Sequence, residues 1–227
     1  MRGFPFAIAI LAAGCAAPPP APPPAAPAAP APSAEPFEAW DVVGSRLEIR
    51  VYRDGPMEKL GHNHLITSDA LTGTIELREP RSASAFRLEL PLESLAVDDS
   101  AARATAGPEF AREVPERDRE ATRRNMLGEQ VLDAARQPAI VLTADAIEGG
   151  PADFRARVRL ALRAEERVIE VPLSVALDGG TLRARAQFAL RHADLGLMPF
   201  TAAMGALRVR DGIEIDFRLE ARRRAET

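Results

Sequence analysis

Cysteine is almost missing: Cys15 is the sole one in 227 residues, so no disulfide framework can form within the chain. Lysine is as scarce, since every cation but Lys59 is an arginine, a bias of composition more than of function. The formal net charge is -4, and without a basic excess nothing points to nucleic acid as a partner. The sequence contains no G-x-S-x-G, no H-E-x-x-H, no phosphate loop and no dinucleotide fingerprint. No nucleophile stands beside a base, so no catalytic residue is assigned and an enzyme is not expected. The carboxylates of Asp98-Asp99 and of Glu116 to Glu120 read as solvated surface.

What the chain does have begins at its first residues, MRGFPFAIAILAAGC. Arg2 precedes an apolar run from Phe4 to Ala13 that is too short to cross roughly 30 Å of hydrocarbon as a helix. A charged start, a short apolar core and small residues at the end match a secretory signal. Leu11-Ala12-Ala13-Gly14-Cys15 resembles a bacterial lipobox, which implies a signal peptide over 1–14, cleavage before Cys15, and a lipid on its thiol. A plain signal peptide that leaves a free Cys15 is the alternative. Ala16 to Pro36 is nearly all alanine and proline, and such a segment favours extended polyproline II and builds no core. Residues 15–37 are therefore read as a lipidated tether and 38–224 as one folded domain. Ala16, in place of a retention aspartate, favours the outer membrane over the inner, with the domain facing the periplasm.

From Ser45 onward apolar residues recur with period two. Leu47, Ile49 and Val51 begin the pattern; Leu71, Gly73, Ile75 and Leu77 continue it, followed by Phe86, Leu88, Leu90 and Leu92. It resumes at Ile140, Leu142 and Ala144, at Phe154 to Leu162, at Val171 to Leu177, at Leu182 to Leu190 and at Ile213 to Ala221. Alternation of this kind belongs to strands with one dry and one wet face. Gly149-Gly150-Pro151, Asp178-Gly179-Gly180 and Asp211-Gly212 carry turn chemistry between them. About eight strands joined by short loops fit a closed barrel or a sandwich. Arginines along 155 to 163 and 183 to 191 fall on the wet face. Pro108 to Ala135 breaks the pattern: Met126, Leu127, Val131 and Leu132 are spaced as on a helical face, Gly128 weakens the helix and Pro138 ends it. This stretch is expected to be a helical excursion lying over the barrel or capping one mouth.

Three histidines complete the inventory. In Leu60-Gly61-His62-Asn63-His64-Leu65-Ile66, read as a strand, His62 and His64 share a face about 6.5 Å apart. His192 continues the parity of Phe188 and Leu190, so all three are expected to face the apolar lining. Three readings stay open: buried histidines satisfied by neighbours, polar contacts to a ligand head group, or ligands of a transition metal.

Several segments together resemble the YceI family, the polyisoprenoid-binding, lipocalin-like proteins of the bacterial envelope. The resemblance runs from about Trp40 to Arg222. It rests on Leu71-Thr72-Gly73-Thr74-Ile75-Glu76-Leu77, on Arg123 to Ala139 with Asn125-Met126-Leu127 and Gln137-Pro138-Ala139-Ile140, and on Val168 to Val175 with Pro172-Leu173. Arg191-His192-Ala193-Asp194-Leu195-Gly196 and Ile213 to Phe217 complete it. The chain departs from the pattern at Arg163-Ala164-Glu165-Glu166-Arg167, where the family has H-G-V-T, and in a longer loop from Ser100 to Arg119. The resemblance implies an all-β, antiparallel, eight-stranded lipocalin-like barrel with one helix and a cavity that holds a long isoprenoid chain. Phe86, Leu88, Leu90, Phe154, Val158, Leu160, Phe188 and Phe217 would line it, with His62, His64 and His192 as head-group contacts. The expected function is a membrane-tethered binding or carrier protein for an apolar amphiphile, an isoprenoid lipid or quinone, with no separate cofactor. Two other readings are weighed beside it: a metal- or haem-linked redox or stress protein using the three histidines, and a structural barrel filled by side chains. Ala156, Ala184 and Ala186 leave room inside and speak against the last.

Overall fold

Turn residues divide the alternating sequence into strands that close on themselves. The computed structural model describes residues 36–225; the residues read above as signal peptide and tether, Cys15 among them, lie outside the described residues up to residue 35. The strands, in chain order, are β1 (Glu38–Asp54), β2 (His64–Ser68), β3 (Thr72–Leu77), β4 (Ala85–Pro91), β5 (Ala96–Val97), β6 (Ala139–Gly149), β7 (Asp153–Leu162), β8 (Glu165–Asp178), β9 (Thr181–Arg191), β10 (Thr201–Ala202) and β11 (Leu207–Arg223). Two helices, α1 (Ser100–Thr105) and α2 (Glu116–Leu127), lie between β5 and β6.

All strand pairs are antiparallel, and the ring runs β1-β3-β4-β6-β7-β8-β9-β11 and back to β1. Eight strands thus form a closed barrel, as expected, and closure leaves no unpaired sheet edge around the ring. β2 shares the place of β3: Thr74 to Leu77 pair with Glu38 to Asp41, and His64 to Ser68 pair with Leu47 to Val51 farther along β1. The short β5 and β10 add to β2 and β11.

The two ends of the barrel differ. At the end where β1 starts and β11 finishes, the connections are short: residues 78–84, 150–152 and 179–180. Gly179 and Gly180 both hold positive φ, 54° and 92°, and join Asp178 to Thr181 as a two-residue hairpin, the geometry that glycine permits and other residues resist. At the opposite end the connections are long, 55–63, 92–138 and 192–206, with one tight exception. That exception is Arg163-Ala164, with φ of 53° and 58° although neither is glycine. Gln137 braces this turn: its Oε1 accepts from Ala164 N at 2.6 Å, and its Nε2 donates to Ala161 O at 2.7 Å.

Two expectations about local structure are corrected. Asp211-Gly212 does not separate strands but lies inside β11. Val51 pairs with Ile213 and Arg53 with Val209, so Tyr52 alone faces Arg210 to Gly212 in a bulge. The excursion, too, is more than one helix. It begins with α1, where the side chain of Asp99 accepts from Ala102 N at 2.9 Å, a local cap at the helix start. α2 then stops at Leu127 ahead of Gly128, and Val131 and Leu132 follow in turns, not on the helix. α2 buries no residue fully; it docks through Arg123, which donates to Glu93 O at 2.7 Å and Leu95 O at 3.2 Å.

The arginine rows do point outward, and most of their members are paired. Arg155 meets Glu170 at 3.1 Å and Arg183 meets Glu220 at 3.2 Å across neighbouring strands, while Arg157 and Arg159 share Asp145. Exposed pairs of this kind contribute little each.

Candidate functional site

The inward side chains do not fill the barrel. They enclose a cavity of about 440 Å³, within the size range of small-molecule sites. Its lining follows the parity of the sequence: Phe86, Leu88, Leu90, Phe154, Val158, Leu160, Phe188 and Phe217 all contribute. Ala184 leaves part of the space, whereas Ala156 and Ala186 are buried in the wall. The long connection between β4 and β6 reaches in with Leu95, Met126, Val131 and Leu132, and the connection after β9 with Leu195 and Leu197. These six close the long-loop end over the barrel.

Among the described residues, three of those lining the cavity carry polar side chains: Arg81, Ser84 and His192. His192 sits at the long-loop end, where its Nδ1 donates to Asp211 O at 2.7 Å. Arg81 and Ser84 lie at the other end, in the short turn between β3 and β4. Backbone bonds from Ala83 N to Pro80 O at 2.9 Å and from Ser84 N to Arg81 O at 3.0 Å shape that turn. Ser84 Oγ accepts from Arg78 N at 3.0 Å, so its hydroxyl hydrogen is available to another group. Sequence reasoning missed both residues, because a charge in a turn reads as surface. The available signal was its place between two alternating strands, at a barrel rim.

His62 and His64 are not part of the lining. The strand begins only at His64, so His62 precedes it and the two do not share a strand face; their rings stand 6.2 Å apart, edge to face. Burial, with the nearby charges of Arg112 and His64, holds the His62 imidazole below its usual pKa. His64 is committed elsewhere: its Nδ1 donates to Asp98 Oδ2 at 2.6 Å. Asp98, expected at the surface, is fully buried, and it also accepts from Leu65 N at 2.9 Å and from Arg103 Nη1 at 2.5 Å. Arg103 in turn donates to the carbonyls of Asn63 and Arg112, each at 2.8 Å. Burial alone would raise the Asp98 pKa, but the bonds from His64 and Leu65 and the Arg103 charge bring it below the ordinary carboxylate value.

This cluster rests on a small second core outside the barrel, where Leu65, Ala102 and Phe110 pack with Tyr52. The Tyr52 ring lies 5.8 Å from that of Phe110 and its hydroxyl donates to Glu214 at 2.9 Å. Burial and that carboxylate push the Tyr52 pKa up to about 12. The histidines therefore form a pair tied to the excursion and a single residue on the cavity wall. Among the described residues no group of three or more His, Cys, Asp or Glu side chains is arranged to hold a metal ion.

An antiparallel eight-stranded barrel closed at one end by loops, with three polar groups at the extremities of an apolar interior, defines an all-β barrel built around an internal cavity. The family model of the YceI-like domain matches residues 47–221, and the chain belongs to that family. Among solved structures it is similar to BcnA of Burkholderia cenocepacia, with a TM-score of 0.54 and 12% identity over 78% of this chain and 95% of that one. It is also similar to a polyisoprenoid binding domain from Saccharophagus degradans implicated in plant cell wall breakdown, with a TM-score of 0.51 and 14% identity over 82% of this chain and 98% of that one. At those identities the likeness speaks for the fold. No curated protein matches the sequence.

Proposed function

We propose that this protein is a non-enzymatic binding or carrier protein for an amphiphile with a long apolar chain, an isoprenoid lipid or quinone, enclosed in the barrel and held at the cell envelope by a lipid on Cys15. The observation that carries this reading is the cavity itself: about 440 Å³ of space walled by aliphatic and aromatic side chains from all eight ring strands. Burying an apolar chain there releases about 25 cal/mol per Å² of its surface, and the outward rows of arginine and glutamate keep the complex compatible with water. The polyisoprenoid binding of the Saccharophagus degradans domain supports the class of ligand. The lipobox-like end of the signal sequence, Leu11 to Cys15, supports the anchor, and Ala16 supports the outer membrane as its site.

The test is extraction of the natively purified protein with organic solvent, followed by mass spectrometry. A lipid recovered in stoichiometric amount is the expected result. Protein that carries no lipid and takes up none from a suspension would overturn the reading.

A further inference from the structure

The cavity is polarised along its length. At the long-loop end the apolar walls are shut, with Leu162 4% exposed and Leu197 7%, and His192 is partly buried among them. At the short-turn end Leu177, also a lining residue, is 47% exposed, and the turn residues Arg81, Ser84 and Pro151 line the space beside it. The cavity therefore opens to solvent between the short turns. At that opening stands Arg81, among the described residues the sole lining side chain with a permanent charge.

Arg81 is not spent on the fold. Its side chain is 35% exposed; Glu79, 74% exposed, meets one of its nitrogens at 2.9 Å, and the carbonyl of Arg78 lies at a marginal 3.5 Å from another. A guanidinium offers five N–H donors in a plane, and its fork matches a carboxylate or phosphate. The single contact from the Glu79 carboxylate shows that the guanidinium accepts an anionic partner at this rim. Ser84 adds a hydroxyl whose oxygen is engaged by Arg78 N but whose hydrogen is not. Arg78 itself is held by Glu76 at 2.7 Å, so it serves the wall more than the opening.

We infer that the ligand enters chain first between the short turns and that Arg81, with Ser84, holds an anionic head group, a carboxylate or a phosphate, at the opening. This rests on the carrier reading and adds to it a direction and a ligand class. His192, at the shut end, then faces the far end of the chain and not the head.

The experiment uses the full chain bearing Cys15→Ser, so that no attached lipid interferes. Binding is measured for four probes: a polyene fatty acid that fluoresces when buried, its methyl ester, farnesyl phosphate and farnesol. Both anionic probes are expected to bind at least tenfold more tightly than their neutral partners. Arg81→Gln should reduce the anionic probes to the affinity of the neutral ones, and Arg81→Lys should retain part of the preference. Glu79→Gln, which removes the competing carboxylate, should strengthen it, and His192→Gln should retain it. A preference for the phosphate alone or the carboxylate alone would name the head group. Equal binding of anionic and neutral probes, or loss of preference in His192→Gln and not in Arg81→Gln, would overturn the assignment while leaving the carrier reading intact. Binding of none of the four would sink both.

Discussion

His64 and Asp98 join strand β2 to the start of the excursion through a 2.6 Å bond between Nδ1 and Oδ2. Asp98 has no solvent to fall back on, and its remaining oxygen is held by Leu65 N and Arg103. The carboxylate is thus the point where strand, turn and α1 meet. Asp98→Asn leaves Arg103 buried without its counter-ion, and breaking such a pair costs about 3 kcal/mol or more. Urea denaturation should show that loss, whereas Glu116→Gln, at an exposed pair, should change stability little.

The same carboxylate gives the protein an acid-sensitive element. The Asp98 pKa is lowered in the folded state, so its contribution is complete above the unfolded value of about 3.9 and is lost as pH falls through the folded value. Stability measured from pH 6 downward, through the unfolded carboxylate value of about 3.9 and below it, should drop less steeply in Asp98→Asn than in the parent chain. Parallel curves would show that other carboxylates dominate acid unfolding.

Space inside the barrel depends on small residues such as Ala184 on β9. Ala184→Phe directs a ring into the cavity and should reduce the lipid recovered by solvent extraction severalfold. Overpacking of a filled interior would cost about 1–3 kcal/mol; an interior with room should tolerate the ring with a smaller loss in thermal stability.

The turn at Arg163-Ala164 holds two side chains at positive φ, a conformation that costs roughly 1–2 kcal/mol per residue outside glycine. Ala164→Gly should stabilise the domain by about 1 kcal/mol, which corresponds to a rise in Tm of about 2–4 °C for a domain of this size. Gly73→Ala should do the reverse. Gly73 sits at φ +141°, and an added Cβ would lie 2.2 Å from Arg87 O and 2.8 Å from Leu88 Cα, so a loss of about 3 kcal/mol is expected from strain and clash.

The lipid anchor is tested at one residue. Cys15→Ser should abolish incorporation of labelled palmitate and move the protein from the detergent phase to the aqueous phase on partition. Retention of label would place the modification elsewhere.

Much of the barrel was legible in the sequence because each strand has one wet face and one dry face, and the period of two survives without any knowledge of partners. Phe86, Phe154, Phe188 and Phe217 fall on the cavity wall for that reason alone. What stayed hidden depends on contacts far along the chain. Asp-Gly at 211–212 has the composition of a turn, and only the pairing of Val51 with Ile213 and of Arg53 with Val209 makes it a bulge. Asp98 looked solvated because its burial depends on His64, 34 residues before it, and on Arg103. Arg81 drew no reading at all, because a turn shows its relation to a cavity only when the barrel closes.

Closure itself sets an order on folding. The seam of the ring is β1 against β11, and it pairs Trp40 with Arg223, the two ends of the domain. Hairpins from β6 to β9 can form from local contacts as soon as their residues are available, but the seam needs loop closure over nearly the whole domain, which makes it the slow step. Until Leu207 to Arg223 has docked there is a curved sheet and no interior. A chain that is made N-terminus first therefore gains its interior volume last, only when its final strand has docked.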